Sequence, residues 1–136
     1  MINARSETLL EKKSFKDAAV SQRCLILADG FYEWKQDGGD KKAYYIYKKD
    51  HKSFAFAGLW RSEVNHAHLG FDNKSFVIVT REAVTSVKQI HHRMPFILNE
   101  EHCETWLNGT VAAATNMLNG NSVSYTHLTL PTTLQV

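Results

Sequence analysis

Apolar positions fall into short blocks divided by turn-forming residues, and their spacing changes along the chain. After Ser6-Glu7-Thr8, the residues Leu9, Leu10, Phe15, Ala18 and Ala19 recur at roughly helical intervals, which predicts a helix over 6–22. Arg23-Cys24-Leu25-Ile26-Leu27-Ala28 is a short apolar run, read as a buried strand, and Asp29-Gly30 is a turn signal. Phe31-Tyr32-Glu33-Trp34-Lys35 is aromatic-rich and strand-like. Asp37-Gly38-Gly39-Asp40 reads as a hairpin tip, with 42–47 as the returning strand and 48–52 as a polar turn. Strands are predicted at 54–60 and 76–80, with a loop over 65–73 and a short helix at 82–87. Asn99 reads as the N-cap of a helix over 100–107, with acids in its first turn and Gly109 just beyond its end. Several strands with few helices predict an α+β fold: a curved, mostly antiparallel or barrel-like sheet with a few short helices. No internal repeat is visible.

Length and composition narrow this picture. A chain of 136 residues fits one domain, and 43% hydrophobic with 22% charged residues argues against continuous disorder. No apolar run approaches the roughly 20 residues needed to span a bilayer. Met1-Ile2-Asn3-Ala4-Arg5 has no apolar core of a secretory signal, so a cytoplasmic setting is expected and no membrane partner. Cys24 and Cys103 form no short-spaced metal or redox motif. The net charge of +2 is too small to imply nucleic acid, but its distribution is uneven. All 16 Lys and Arg lie between Arg5 and Arg93, whereas Glu100, Glu101 and Glu104 follow with no base. A basic body is compatible with a phosphate-binding face; on charge alone, solvated surface lysines are the better explanation.

Three polar clusters interrupt apolar surroundings: Asn3-Ala4-Arg5-Ser6-Glu7, Gly30-Phe31-Tyr32-Glu33-Trp34 and His91-His92-Arg93-Met94-Pro95. On a strand, the Glu33 side chain points away from those of Tyr32 and Trp34. If it points inward, burial raises its pKa and makes it a proton donor; if outward, it is a solvated acid. Were His91 and His92 on a strand, they would face opposite sides and would not serve one site. A metal site would need one of them with His102 and Cys103, and no short H-x-H or C-x-x-C core anchors it. Arg93 could bind phosphate or pair with an acid.

Five motifs occur in order: Asn3-Ala4-Arg5-x-Glu7; Arg23-Cys24-Leu25 with Ala28-Asp29-Gly30-Phe31-Tyr32-Glu33-Trp34; Phe56-Ala57-Gly58-Leu59-Trp60; Val79-Thr80-x-Glu82-Ala83; and Ile90-His91-x-Arg93-Met94-Pro95-x-Ile97-Leu98. Together, from Ile2 to about Leu107, they resemble the SOS-response-associated peptidase (SRAP) family. The resemblance implies a sensor that crosslinks covalently to abasic sites in single-stranded DNA and has self-cleaving peptidase activity. The family nucleophile is a cysteine at the mature N-terminus. Its α-amine forms an imine with the ring-opened sugar aldehyde, and its thiol closes a thiazolidine. By motif position, Asn3 matches an asparagine beside the crosslink. Glu33 matches the glutamate that shuttles protons and is needed for self-cleavage, and His91 the histidine that assists sugar-ring opening. Arg5 and Arg93 match arginines on the DNA backbone, with Thr80 and Lys13 as weaker matches for phosphate contacts, and Trp34 offers a surface for bases. No cofactor or metal is implied, and the family unit is expected to be a monomer.

The sequence departs from the family pattern in two places. A Met-Cys-Gly-Arg start followed by a long segment is expected ahead of Asn3, and a Val-Ser-x-x-Val-Asn stretch after the last helix. Residues 1–120 therefore read as a partial SRAP domain, incomplete at both ends. Residues 121–136 read as a non-native tail resembling read-through of adapter sequence, although Tyr125, Thr126 and Leu128 would also suit a genuine strand. Neither Cys24 nor Cys103 has a free α-amine to replace the family nucleophile. Two other readings stay open: a non-catalytic single-stranded-DNA-binding remnant, and a small hydrolase using Glu33 and His91.

Overall fold

The computed structural model describes residues 3–63 and 73–120, and 132–135 as backbone. Residues 65–72 of the loop expected over 65–73, and most of the expected tail, lie outside the described residues; Asn73 opens a strand. The chain runs β1 (Asn3–Arg5), a 3-10 turn (Ser6–Thr8), α1 (Lys13–Ser21), β2 (Arg23–Ala28), β3 (Gly30–Asp37), β4 (Asp40–Tyr47) and β5 (Phe54–Glu63). It continues through β6 (Asn73–Glu82), α2 (Thr85–Lys88), β7 (Arg93–Pro95), β8 (Ile97–Leu98), α3 (Glu100–Asn108), α4 (Val111–Asn119) and β9 (Thr132–Gln135).

A larger sheet has the order β1-β6-β5-β2, with β7 added to β6 and β8 to β5. A smaller sheet has the order β3-β4-β9. The pairing of β1 with β6 is parallel, and the others are antiparallel. The expected α+β architecture, a curled and mostly antiparallel sheet with short helices, is what the chain forms. No described helix is long and apolar enough to cross a membrane.

Alternation along β5 and β6 sends side chains into two cores. Ala57, Leu59 and Val79 point to one side with Ala4, where Phe15, Ala18 and Ala19 of α1, Trp106 of α3 and Leu118 of α4 cover them. Phe54, Phe56 and Ile78 point to the other side, against Ile46 and Phe31 of the smaller sheet and Val87 of α2. The larger sheet is thus the middle layer, with α1, α3 and α4 on one face and the smaller sheet with α2 on the other. A strand buried on both faces explains the unbroken apolar run Phe54-Ala55-Phe56-Ala57-Gly58-Leu59.

Several elements differ from the sequence expectation for local reasons. The helix predicted over 6–22 begins only at Lys13, because Lys12 is extended (φ −86°, ψ 119°) and Ser6–Thr8 is a 3-10 turn. Leu9 is 2% exposed because the chain enters the helical-side core there, so its spacing mimics a helix. Gly30 is not needed for a turn conformation. It opens β3, and the ring of Tyr45 occupies the space where a Cβ would stand. Gly58 has a similar role: a Cβ there would lie 3.1 Å from the Cys24 Sγ and closer still to Ile26. The Asn99 cap is as expected, its side chain accepting from the His102 N–H at 2.7 Å. The unexpected α4 is capped the same way, Thr110 Oγ1 accepting from the Ala113 N–H at 3.1 Å. Residues 132–135 of the expected non-native tail pair with β4, from Thr132 opposite Tyr47 to Gln135 opposite Tyr44.

Candidate functional site

β3 sorts its side chains by parity. Tyr32 and Trp34 face outward and are 56% and 53% exposed, while Phe31, Glu33 and Lys35 turn toward the larger sheet. Glu33 is thereby half-buried, and burial pushes its carboxyl up from the ordinary value of 4.5. The charges of His91 and His92 and the Trp34 N–H pull it back, but by less. A carboxyl held in this way keeps its proton to higher pH than a surface glutamate and can donate it.

His91 stands opposite. Its Nδ1 lies 4.0 Å from Glu33 Oε2, beyond hydrogen-bond length, so the two groups flank a gap. The same Nδ1 is 3.1 Å from both the backbone nitrogen and the carbonyl oxygen of Arg93, so the Arg93 backbone anchors the ring in place. The strand geometry considered for His91 and His92 does not apply. They lie in the turn between α2 and β7, and their rings sit side by side with centroids 4.6 Å apart. Both therefore face Glu33, where strand alternation would have separated them.

These groups line an open cleft of about 550 Å³, whose walls include Glu33, Trp34, Lys35, Lys41, Lys88, His91 and His92. Sequence reasoning missed His92 and the three lysines. Lys35 was recoverable, because it sits two residues from Glu33 and so shares its face. Lys41 was recoverable from the hairpin tip, which sets it opposite Gln36. Lys88 depends on how α2 folds back, which no local pattern encodes.

Beside the cleft is a second polar group. Arg93 grips Glu7 with both terminal nitrogens, at 2.7 and 3.0 Å, and donates to Thr80 Oγ1 at 3.1 Å. Its side chain is only 15% exposed, so the guanidinium matched to DNA backbone is already held by a carboxylate inside the protein. Arg5 is mostly exposed, 3.9 Å from the same carboxylate, and sits opposite Thr80 in the β1–β6 register. Asn3 lies two residues away on the same face, opposite Ile78; it is not among the residues lining the cleft. Lys13 opens α1, on the far side of the larger sheet. The fold thus brings together Glu33, Trp34 and His91, and links them through the Arg93 backbone to Arg5, Thr80 and Glu7. It leaves Lys13 apart. Among the described residues no three His, Cys, Asp or Glu side chains cluster closely enough to hold a metal.

The Arg93 contact also sets an acid sensitivity. Hydrogen bonding from Arg93 lowers the Glu7 carboxyl from 4.5 to about 2. A depressed folded pKa stabilises the fold above 4.5, and that contribution disappears as pH falls toward 2. Glu7 is exposed enough for solvent to screen the pair, so the effect should be modest. Thermal melts across that window should show a steeper acid decline for the wild type than for Glu7→Gln. Parallel curves would show that the pair carries no stability.

The family model described as SOS response associated peptidase (SRAP) matches residues 1–130, the whole of the cleft among them. The chain belongs to the SRAP family. It is 46% identical over 109 residues to Abasic site processing protein YoaM of Bacillus subtilis, covering 79% of this chain and 47% of that protein. It is 36% identical over 129 residues to Abasic site processing protein HMCES of Gallus gallus, covering 78% and 37% respectively. The SRAP chain thus spans about half the length of the bacterial relatives it matches. A crystal structure of a protein from Bordetella bronchiseptica superposes with a TM-score of 0.82 at 27% identity, over 98% of this chain and 64% of the other. One from Bacteroides thetaiotaomicron gives 0.77 at 35% identity, over 85% and 52%.

Proposed function

We propose that this SRAP chain supplies the acid–base and DNA-facing part of a domain that captures abasic sites in single-stranded DNA. The observation that carries the reading is the cleft. In it, a carboxyl with a raised pKa and a histidine face each other across 4.0 Å, with lysines on the walls and an exposed tryptophan at the edge.

Capture of an abasic sugar begins with opening of its ring to an aldehyde. An amine adds to the carbonyl carbon, giving a carbinolamine. Loss of water then gives an imine, and the leaving hydroxyl must receive a proton. Glu33 as carboxylate first takes a proton from the ammonium, freeing the amine to attack, and in its protonated form then gives that proton to the leaving hydroxyl. His91, through a ring N–H, donates to the sugar oxygen during ring opening. The thiol of a terminal cysteine would then add to the imine carbon, closing a thiazolidine. Lys35, Lys41 and Lys88 hold phosphates, and Arg5 extends the basic surface. Tyr32 and Trp34 favour single strands, since paired bases do not offer their faces for stacking. Self-cleavage would draw on the same Glu33.

Binding measured by fluorescence anisotropy tests this reading. A single-stranded oligonucleotide with a central abasic analogue should bind more tightly than its duplex. Replacing Lys35, Lys41 and Lys88 together with Gln should flatten the log–log salt dependence by roughly 2, about 0.7 for each single-strand phosphate that is no longer neutralised. Equal affinity for both forms, or an unchanged slope, would remove the cleft from the DNA path.

A further inference from the structure

The outer face of the smaller sheet extends the aromatic surface of Tyr32 and Trp34 with a row of further rings that the cleft chemistry does not use. β3 turns Tyr32 and Trp34 to this face, and the register sets Tyr32 opposite Tyr45 and Gly30 opposite Tyr47. The rings continue in contact: Tyr32 to Tyr45 at 5.0 Å, Tyr45 to Tyr47 at 5.5 Å, and Tyr47 to His51 at 4.9 Å. The last two pairs are near-parallel, at 24° each.

His51 is the telling residue. Among the described residues it is the only non-glycine with positive φ, at 58°. A side chain holds that conformation at a cost, and local strain of this kind gathers where a side chain is needed in a set place. Here it extends the row by one ring, beside a shallow hollow of about 360 Å³ lined by Asp29, Tyr45, Tyr47 and His51. The Asp29 carboxylate already accepts from the Ser53 hydroxyl at 2.5 Å. Lys48, Lys49 and Lys52 flank His51 in sequence at this end of the row, while Lys41 lines the cleft beside Trp34 at the other. Rings along a face with ammonium groups at both ends match a strand of unpaired bases on a charged backbone.

We infer that the outer face of β3 and β4 is a second stretch of the nucleic-acid site, on which bases flanking the abasic position stack from Trp34 toward His51. This rests on the proposed function and deepens it, adding where the strand goes after leaving the cleft. Tyr47 and His51 become specificity residues for unpaired flanking sequence, and Trp34 joins both stretches.

The test compares abasic single strands of about 15 and about 5 nucleotides on the full chain. The longer should bind more tightly. His51→Gly deletes a ring while relieving the backbone, so the melting temperature should hold or rise. It should nevertheless weaken the longer strand roughly tenfold and leave the shorter unchanged. Tyr47→Ala should do the same to the longer strand, with Tyr47→Phe retaining affinity. If the wild type binds both strands and His51→Gly changes neither, the stacking path is wrong and the cleft reading stands. If the wild type binds neither, the proposed function fails first and the inference with it.

Discussion

Mixed with single-stranded DNA bearing an abasic site and no reductant, a polypeptide of this sequence should yield no adduct that survives a denaturing gel. Any amine can condense with the ring-opened aldehyde, but the imine hydrolyses. Permanence in the family chemistry comes from a thiol on the same residue as the amine, which closes a five-membered ring on the imine carbon. Cys24 and Cys103 are internal, so neither brings an α-amine. Burial raises both thiols, and the nearby Glu100 raises Cys103 further, which lowers their thiolate fraction near neutral pH. Cys103 also packs against the core on the helical side of the larger sheet, away from the cleft. Adding borohydride should produce a band, because reduction traps the imine from Met1 or a lysine. A heat-stable band without reductant would show that a nucleophile has been overlooked. In a longer polypeptide carrying the family's terminal cysteine ahead of this segment, Glu33→Gln should slow adduct formation roughly 100-fold, the scale of a missing general acid–base group.

The legible parts of this molecule were those encoded by short-range pattern. The β3–β4 hairpin followed from its Gly38-Gly39 tip, where φ is 56° and 102°, and that tip fixed the register, while the face Glu33 takes was settled only by packing against the larger sheet. β5 and β6 followed from apolar runs. Glu33 and His91 were named from motif resemblance, and the fold sets them face to face across 58 residues of chain, a relation that no local spacing contains. The short strands β1, β7 and β8 were invisible because two or three residues show no period; they exist because β6 and β5 offer unpaired edges and backbone to bond. For Arg93 both alternatives, phosphate or a neighbouring acid, were open for a related reason. Sequence shows a basic residue in a polar cluster, but not that Glu7 waits beside it at 2.7 Å. Charge on paper does not separate a free arginine from one already paired.

A large stability effect should come from a residue to which the cleft chemistry assigns no role. Arg23, the first residue of β2, donates from Nε to the Trp106 carbonyl at 2.6 Å and from one terminal nitrogen to the Ala19 carbonyl at 2.9 Å. Its other terminal nitrogen donates to the Gly109 carbonyl. These oxygens lie at the C-terminal ends of α1 and α3, where helices leave carbonyls unpaired and favour a cation. The same guanidinium lies 5.8 Å from the centre of the Trp106 ring, which is fully buried and whose Nε1–H donates to the Cys24 carbonyl at 2.9 Å. One side chain therefore ties two helices to the edge of the larger sheet. Arg23→Ala should cost about 3 kcal/mol, since removing each charge-assisted bond strands an acceptor, and should lower the melting temperature by roughly 10 °C. Lysine should rescue little, because one ammonium cannot span three carbonyls as the planar fork does. Trp106→Ala should cost about 3–5 kcal/mol by emptying the core, and the double variant should fall short of the sum because the two residues share their surroundings. Full additivity, or a loss of only a degree or two in Arg23→Ala, would dismiss the clamp. The consequence reaches the cleft: β2 passes through Asp29 alone into β3, so loosening Arg23 frees the strand that aims Glu33. Single-stranded DNA binding by Arg23→Ala should accordingly weaken well below its melting temperature.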